Sequence, residues 1–123
     1  MRSKPSSIGL LSVALATLAL GIGCSSSPKP PSEQLAAATA SERAATEVGA
    51  ADVPQAALHL QLAKEQTEHA QLLMKKGENT RALSMLERAQ ADAELALAMA
   101  RAEQERAAAQ NALDRVHELQ KSN

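Results

Sequence analysis

The chain has 123 residues, a formal net charge of −1 and no Phe, Tyr or Trp. Without aromatic side chains it has no platform for stacking bases and no aromatic groove for proline-rich peptides. A net charge this close to zero also argues against nucleic acid or anionic lipid as the main partner.

The first 23 residues have the composition of an export signal. Arg2 and Lys4 precede an apolar run from Ile8 to Leu20, and small residues close the run. This run is well short of the roughly 20 apolar residues that a helix needs to cross a bilayer. We therefore expect a cleaved signal helix over residues 1–23.

The only cysteine, Cys24, directly follows Gly23 at the end of the apolar run. This arrangement resembles the signal of bacterial lipoproteins, which is cleaved before a lipid-modified cysteine. The resemblance implies cleavage between Gly23 and Cys24, lipid on the thiol and an acylated new amine. Two or three acyl chains on one residue anchor a protein stably in a membrane. The alternative is a cysteine without a role at the end of a secretory leader.

Residues 24–32 form a tether rich in serine and proline. Such a segment cannot bury enough apolar surface to fold, so it should be extended. Ser25 and Ser26 stand where an aspartate tends to mark inner-membrane retention in lipoproteins. We therefore expect the periplasmic face of the outer membrane in a bacterial cell envelope, with the inner membrane as the alternative.

Residues 33–123 are predicted to form one all-α domain with helices at about 33–48, 54–76 and 80–120. Gly49 can end the first helix, whose apolar stripe is weak. That helix can fold back beside the other two or continue the line of the second. We expect the first arrangement, a small three-helix bundle with a long third helix.

The second and third helices form the safest element, an antiparallel hairpin. Small and apolar side chains recur at spacings of four and three on both arms, the pattern of one buried helix face: Ala56, Leu60, Ala63, Thr67, Ala70 and Met74, then Ala82, Leu86, Ala89, Ala93, Ala96 and Ala100. Gly77 suits the left-handed residue after a helix, and Asn79 or Thr80 can cap the next helix. The pattern predicts four buried side chains, Leu60, Ala63, Leu83 and Leu86. It predicts four solvated ones, Lys64, Glu68, Arg88 and Asp92.

The third helix is longer than the second helix, with which it pairs. At about 1.5 Å per residue, the second helix reaches from the turn only to the level of Arg101 on the third. A lone helix beyond that point is marginal in water. Its remaining apolar side chains can share a face: Ala102, Ala109, Leu113 and Val116. We predict a partner surface at residues 102–119. The first helix, a second copy of the chain or another envelope protein can cover it; otherwise the end of the helix frays.

No residue pattern predicts catalysis, a cofactor or a metal ion. Glu65, Glu68 and His69 share a helix face, but a di-iron helix needs Glu three residues before His, where Gln66 stands. His117 and Glu118 begin like a zinc protease motif whose second histidine is replaced by Lys121. We expect no enzyme activity and no small-molecule substrate.

Three segments together resemble one family: Val-Pro-Gln-Ala-Ala-Leu at 53–58, Gly-Glu-Asn at 77–79 and Ala-Gln-Ala-Asp-Ala-Glu-Leu-Ala at 89–96. They are similar to the alanine-rich bacterial envelope family known as domain of unknown function 4398. The likeness covers about residues 35–110. It implies an exported protein, often a lipoprotein, and brings no catalytic residues with it.

Two functions fit this sequence. The first is a lipid-anchored helical scaffold or adaptor for another envelope component. The alternative is a structural rod of the murein-lipoprotein type, which links the outer membrane to peptidoglycan through a terminal lysine. Lys121 is near the end but is followed by Ser122 and Asn123, and the long helix lacks a clean heptad throughout, so we rank the rod second.

Overall fold

The computed structural model describes residues 28–122 and contains three helices: α1 (Ser32–Glu47), α2 (Pro54–Lys75) and α3 (Asn79–Lys121). A 3-10 turn, Ala50–Asp52, lies between α1 and α2, and residues 28–122 include no β-strand. The all-α bundle with a long third helix is therefore confirmed. The expected signal helix, Gly23, Cys24 and most of the tether lie outside the described residues.

A Schellman turn at Gly77 joins α2 to α3. Gly77 has a φ of 76°, in the left-handed region that glycine enters at no steric cost. Its N–H donates to the Met74 carbonyl at 3.0 Å, and the Glu78 N–H donates to the Leu73 carbonyl at 2.9 Å. These two bonds satisfy carbonyls that the end of a helix leaves free. The predicted positive φ and the predicted hairpin are both present.

Helix α1 folds back and packs mainly on α3. Near its start, Ala38 is buried in a cluster with Leu73 of α2 and Leu86 of α3. Near its end, Ala45 is buried in a second cluster with Leu60 of α2 and with Ala96 and Ala100 of α3. Helix α1 therefore runs parallel to α3 and antiparallel to α2, as in an up-down-up bundle.

Alanine fills most of the core of this bundle. In the described part of the chain the buried core side chains are alanines and three leucines, Leu60, Leu73 and Leu86. Pro31, directly before α1, is also buried. Alanine lets helices approach closely but buries little area per side chain. Within residues 28–122, Leu86 is the largest side chain that is fully buried, and Leu60 and Leu73 are nearly so.

Two expectations about the core are wrong. Met74 was expected in the buried stripe but is half-buried, and Leu73 is buried instead. Both positions lie on the same helix face as Ala70, three and four residues after it. Leu73 is the one buried in the cluster with Ala38 and Leu86. Leu83 is half-buried because it lies about 100° round the helix from the buried Ala82.

Helix α3 continues far beyond the bundle. The core ends at Ala100, and all residues from 101 to 122 are exposed, although α3 remains helical to Lys121. We call residues 101–121 the overhang. Gln104 Nε2 donates to the Val48 carbonyl at 2.9 Å and so ties the base of the overhang to the end of α1.

Replacing Leu86 by alanine should lower the free energy of unfolding by about 2–3 kcal/mol, because it opens a cavity at a fully buried site. Urea unfolding of the full chain, followed by circular dichroism, measures this loss. The matched control is Leu58→Ala on α2, where the side chain is 57% exposed and the change should stay within about 0.5 kcal/mol. Equal midpoints for the two variants would contradict the observed core.

Candidate functional site

Three polar side chains meet between α2 and α3. Gln66 Nε2 donates to Asp92 Oδ2 at 2.8 Å, and His59 Nδ1 lies 2.9 Å from Asp92 Oδ1. A carboxylate oxygen only accepts hydrogen bonds, which assigns the proton to Nδ1 of His59. We call these three residues the polar cluster. The carboxylate joins two positions on α2 to one position on α3, so the cluster fixes how the arms of the hairpin align.

The prediction that Asp92 is solvated is wrong. The side chains of His59 and Asp92 are only 26% and 23% exposed. A signal for the cluster was present, because His59 comes one residue before the buried Leu60 and Asp92 one residue before the buried Ala93. Both therefore lie at the edge of the hairpin interface, where a polar pair can reach across.

The chemistry that the polar cluster can perform is limited. It holds one imidazole and one carboxylate, whereas a zinc site needs three or four protein ligands. Residues 28–122 contain no group of three or more His, Cys, Asp or Glu side chains that could hold a metal ion. Gln66 Oε1 is buried without a hydrogen-bond partner. The geometry fits a structural link between helices.

Asn79 does not cap α3 in the way the sequence suggested. It is the first residue of α3 and is buried, and its Oδ1, the atom that would accept a capping bond, has no hydrogen-bond partner. Its Nδ2 donates instead to the Pro28 carbonyl at 2.6 Å. Asn79 therefore holds the chain that enters the domain against the start of α3, and this long-range contact carries no local sequence signal.

The four residues of the predicted partner surface are all exposed: Ala102, Ala109, Leu113 and Val116. Leu113 is 55% exposed and Val116 is 50% exposed, although both are large apolar side chains. Helix α1 ends at Glu47, beside the base of the overhang, so it does not cover this surface. That alternative for the overhang is wrong.

The remaining surface offers little enclosure. A groove between α2 and α3 lies next to the polar cluster, and half of the side chains that line it are exposed. The lining side chains are Leu62, Glu65, Gln66, His69, Met85 and Arg88. None of the helices within residues 28–122 is long and apolar enough to cross a membrane.

No family model, no curated protein and no solved structure matches this chain. The resemblance to the alanine-rich envelope family therefore stays a prediction.

Replacing Asp92 by alanine should lower the free energy of unfolding by about 1–2 kcal/mol, because Gln66 and His59 lose a shared charged acceptor. A double-mutant cycle of Asp92→Ala with His59→Ala, read by urea unfolding, should give a coupling energy on the order of 1 kcal/mol. Asp114→Ala on the exposed overhang is the control and should change stability by less than about 0.5 kcal/mol. A coupling energy of zero would show that the bond between His59 and Asp92 does not form.

Proposed function

We propose that this chain is a non-enzymatic lipoprotein of the bacterial cell envelope, anchored on the periplasmic face of the outer membrane through lipid on Cys24. In this proposal it acts as a helical scaffold or adaptor and belongs with the alanine-rich envelope proteins of domain of unknown function 4398. The basic start, the apolar run and the Gly23–Cys24 junction support the anchor. The proposal needs no cofactor and no small-molecule substrate.

The observation that carries the scaffold proposal is the exposed overhang. Most of the stability of a helix in a protein comes from packing its apolar face, and this part of α3 instead presents Leu113 and Val116 to solvent. An exposed apolar face with polar residues around it is typical of a protein-binding surface. The overhang is therefore the part of the molecule best suited to bind another protein.

The two ends of α3 suit different tasks. Pro28, which leads back to Cys24, is held at the first residue of α3, whereas the overhang is the last part of the same helix. Forty-three residues of helix span roughly 65 Å. An anchor near one end would thus leave the overhang at the other end of α3, away from the attachment of its own chain.

The side chains support a role in binding over one in catalysis. Nucleophilic catalysis needs a nucleophile within hydrogen-bond reach of a base. The side-chain hydrogen bond of His59 goes to the Asp92 carboxylate, and not to a hydroxyl or thiol that could act as a nucleophile. The polar cluster therefore has a structural role, which is to link the two helices of the hairpin.

Replacing Cys24 by alanine should leave an unprocessed precursor without lipid, because the acylated thiol would be missing. Metabolic labelling with a palmitate analogue and detergent phase partition of the full chain measure this outcome. The control, Ser25→Ala, keeps the junction and should still be labelled and cleaved. An unlabelled wild-type protein that partitions into the aqueous phase would overturn the lipid anchor.

Ending the chain after Arg101 should abolish its crosslinks in living cells while export and folding persist. The reason is that the buried core ends at Ala100, so truncation removes binding surface and leaves the bundle intact. The matched control ends at Gln120 and retains the surface. If the chain ending at Arg101 keeps every crosslink, the binding surface lies elsewhere.

A further inference from the structure

Helix α3 has a second apolar stripe on the side opposite its buried one. Four buried alanines of α3 are each followed two residues later, about 200° round the helix, by an exposed apolar residue. The exposed residues are Ala91, Leu95, Ala98 and Ala102. Leu95 is 41% exposed and is the largest of them. The outer side of the bundle is therefore apolar along α3.

This outer stripe continues into the overhang with a heptad period. Positions at alternating spacings of four and three run from the bundle to Val116, as in the seam of a coiled coil. We call them the seam: Ala91, Leu95, Ala98, Ala102, Glu105, Ala109, Ala112 and Val116. All are exposed and all but Glu105 are apolar. Bundle and overhang therefore share one continuous surface.

We propose that the seam is the interface of a homodimer, in which a second copy of this chain lies antiparallel along the outer side of α3. The symmetry axis crosses α3 between residues 103 and 104, so that each overhang covers the outer side of the other bundle. The inference names the partner of the overhang and thus rests on the proposed function. A two-fold axis pairs every seam position with another seam position.

This register matches large side chains to small ones. Leu95 faces the partner's Ala112, and Val116 faces the partner's Ala91. In the middle, Ala98 faces the partner's Ala109, so the two backbones can approach closely. Side chains of complementary size fill an interface without voids. No pair brings two large side chains together.

Charge also favours the antiparallel pair. Glu94 would lie beside the partner's Arg115, and Glu105 would face the partner's Ala102 next to the partner's Arg101. In a parallel pair in register, Glu105 would face the same residue of the partner and Arg101 would face the partner's Arg106. Like charges at such positions oppose pairing. The antiparallel pair removes the contact between Arg101 and Arg106, and it places Glu105 opposite the small Ala102 instead of opposite another Glu105.

The overhang carries no net charge that would drive a second copy away. Its four basic residues, Arg101, Arg106, Arg115 and Lys121, balance four acidic ones, Glu103, Glu105, Asp114 and Glu118. Charges of both signs are interspersed along the helix, so a strongly basic or strongly acidic partner has no electrostatic advantage. A second copy brings the same balance and a stripe of matching length.

Cysteine pairs test the proposal in the full chain. The variant with Ala98→Cys and Ala109→Cys places two thiols opposite the partner's thiols, close enough for a disulfide. Within one chain these positions are about 16 Å apart along α3, which prevents an internal bond. The control, Ala98→Cys with Ala107→Cys, moves the second thiol to the far side of the helix. Mild oxidation of both soluble and membrane fractions is followed by non-reducing electrophoresis, with the unmodified chain giving the background from Cys24.

The proposal predicts about fivefold or more disulfide-linked dimer from the seam pair than from the control pair, and only background from Ala98→Cys alone. Adding Glu94→Arg should reduce this dimer, and further adding Arg115→Glu should restore it. Strong dimer from Ala98→Cys alone would mean a parallel pair and would overturn the proposal. Background levels in every variant would also overturn it. If truncation after Arg101 still removed crosslinks to other proteins in that case, the proposed function would stand with a different partner.

Discussion

The close contact of α3 with α1 and α2 holds this molecule together. Alanines on α3 let both neighbouring helices approach its backbone, and Leu86 is fully buried in one cluster with Ala38 of α1 and Leu73 of α2. Since an alanine side chain buries little area, the bundle depends on many such contacts repeated along the helix. The polar cluster and the Schellman turn at Gly77 matter because they keep the two arms of the hairpin in the register that these contacts require.

The two sides of α3 have different roles. One side closes the bundle and ends at Ala100, whereas the other side is exposed and extends to Val116. A helix that buries one side and leaves an apolar stripe on the other is suited to join its own domain to another body. A partner would then bury the apolar stripe of the overhang, just as α1 and α2 bury the inner side of α3 in the bundle.

Local rules predicted the elements of this fold, and tertiary contacts decided what those rules left open. Gly77 was predictable because a left-handed residue after a helix favours glycine, and the alanine stripes of α2 and α3 set the hairpin. The weak stripe of α1 could not show that α1 packs mainly on α3. Asp92 and Asn79 were misjudged because their partners, His59 and Pro28, are remote in sequence. The site residue Cys24 is a prediction from sequence alone.

Amide hydrogen exchange along α3, compared at high and low concentrations of the full chain, tests most directly whether two copies share this helix. The account predicts that residues 80–100 are protected at both concentrations, because the bundle covers them. Residues 103–116 should be protected only at high concentration, since an unpaired helix of this length frays in water. Exchange in residues 103–116 that is the same at both concentrations, whether fast or slow, would contradict the account.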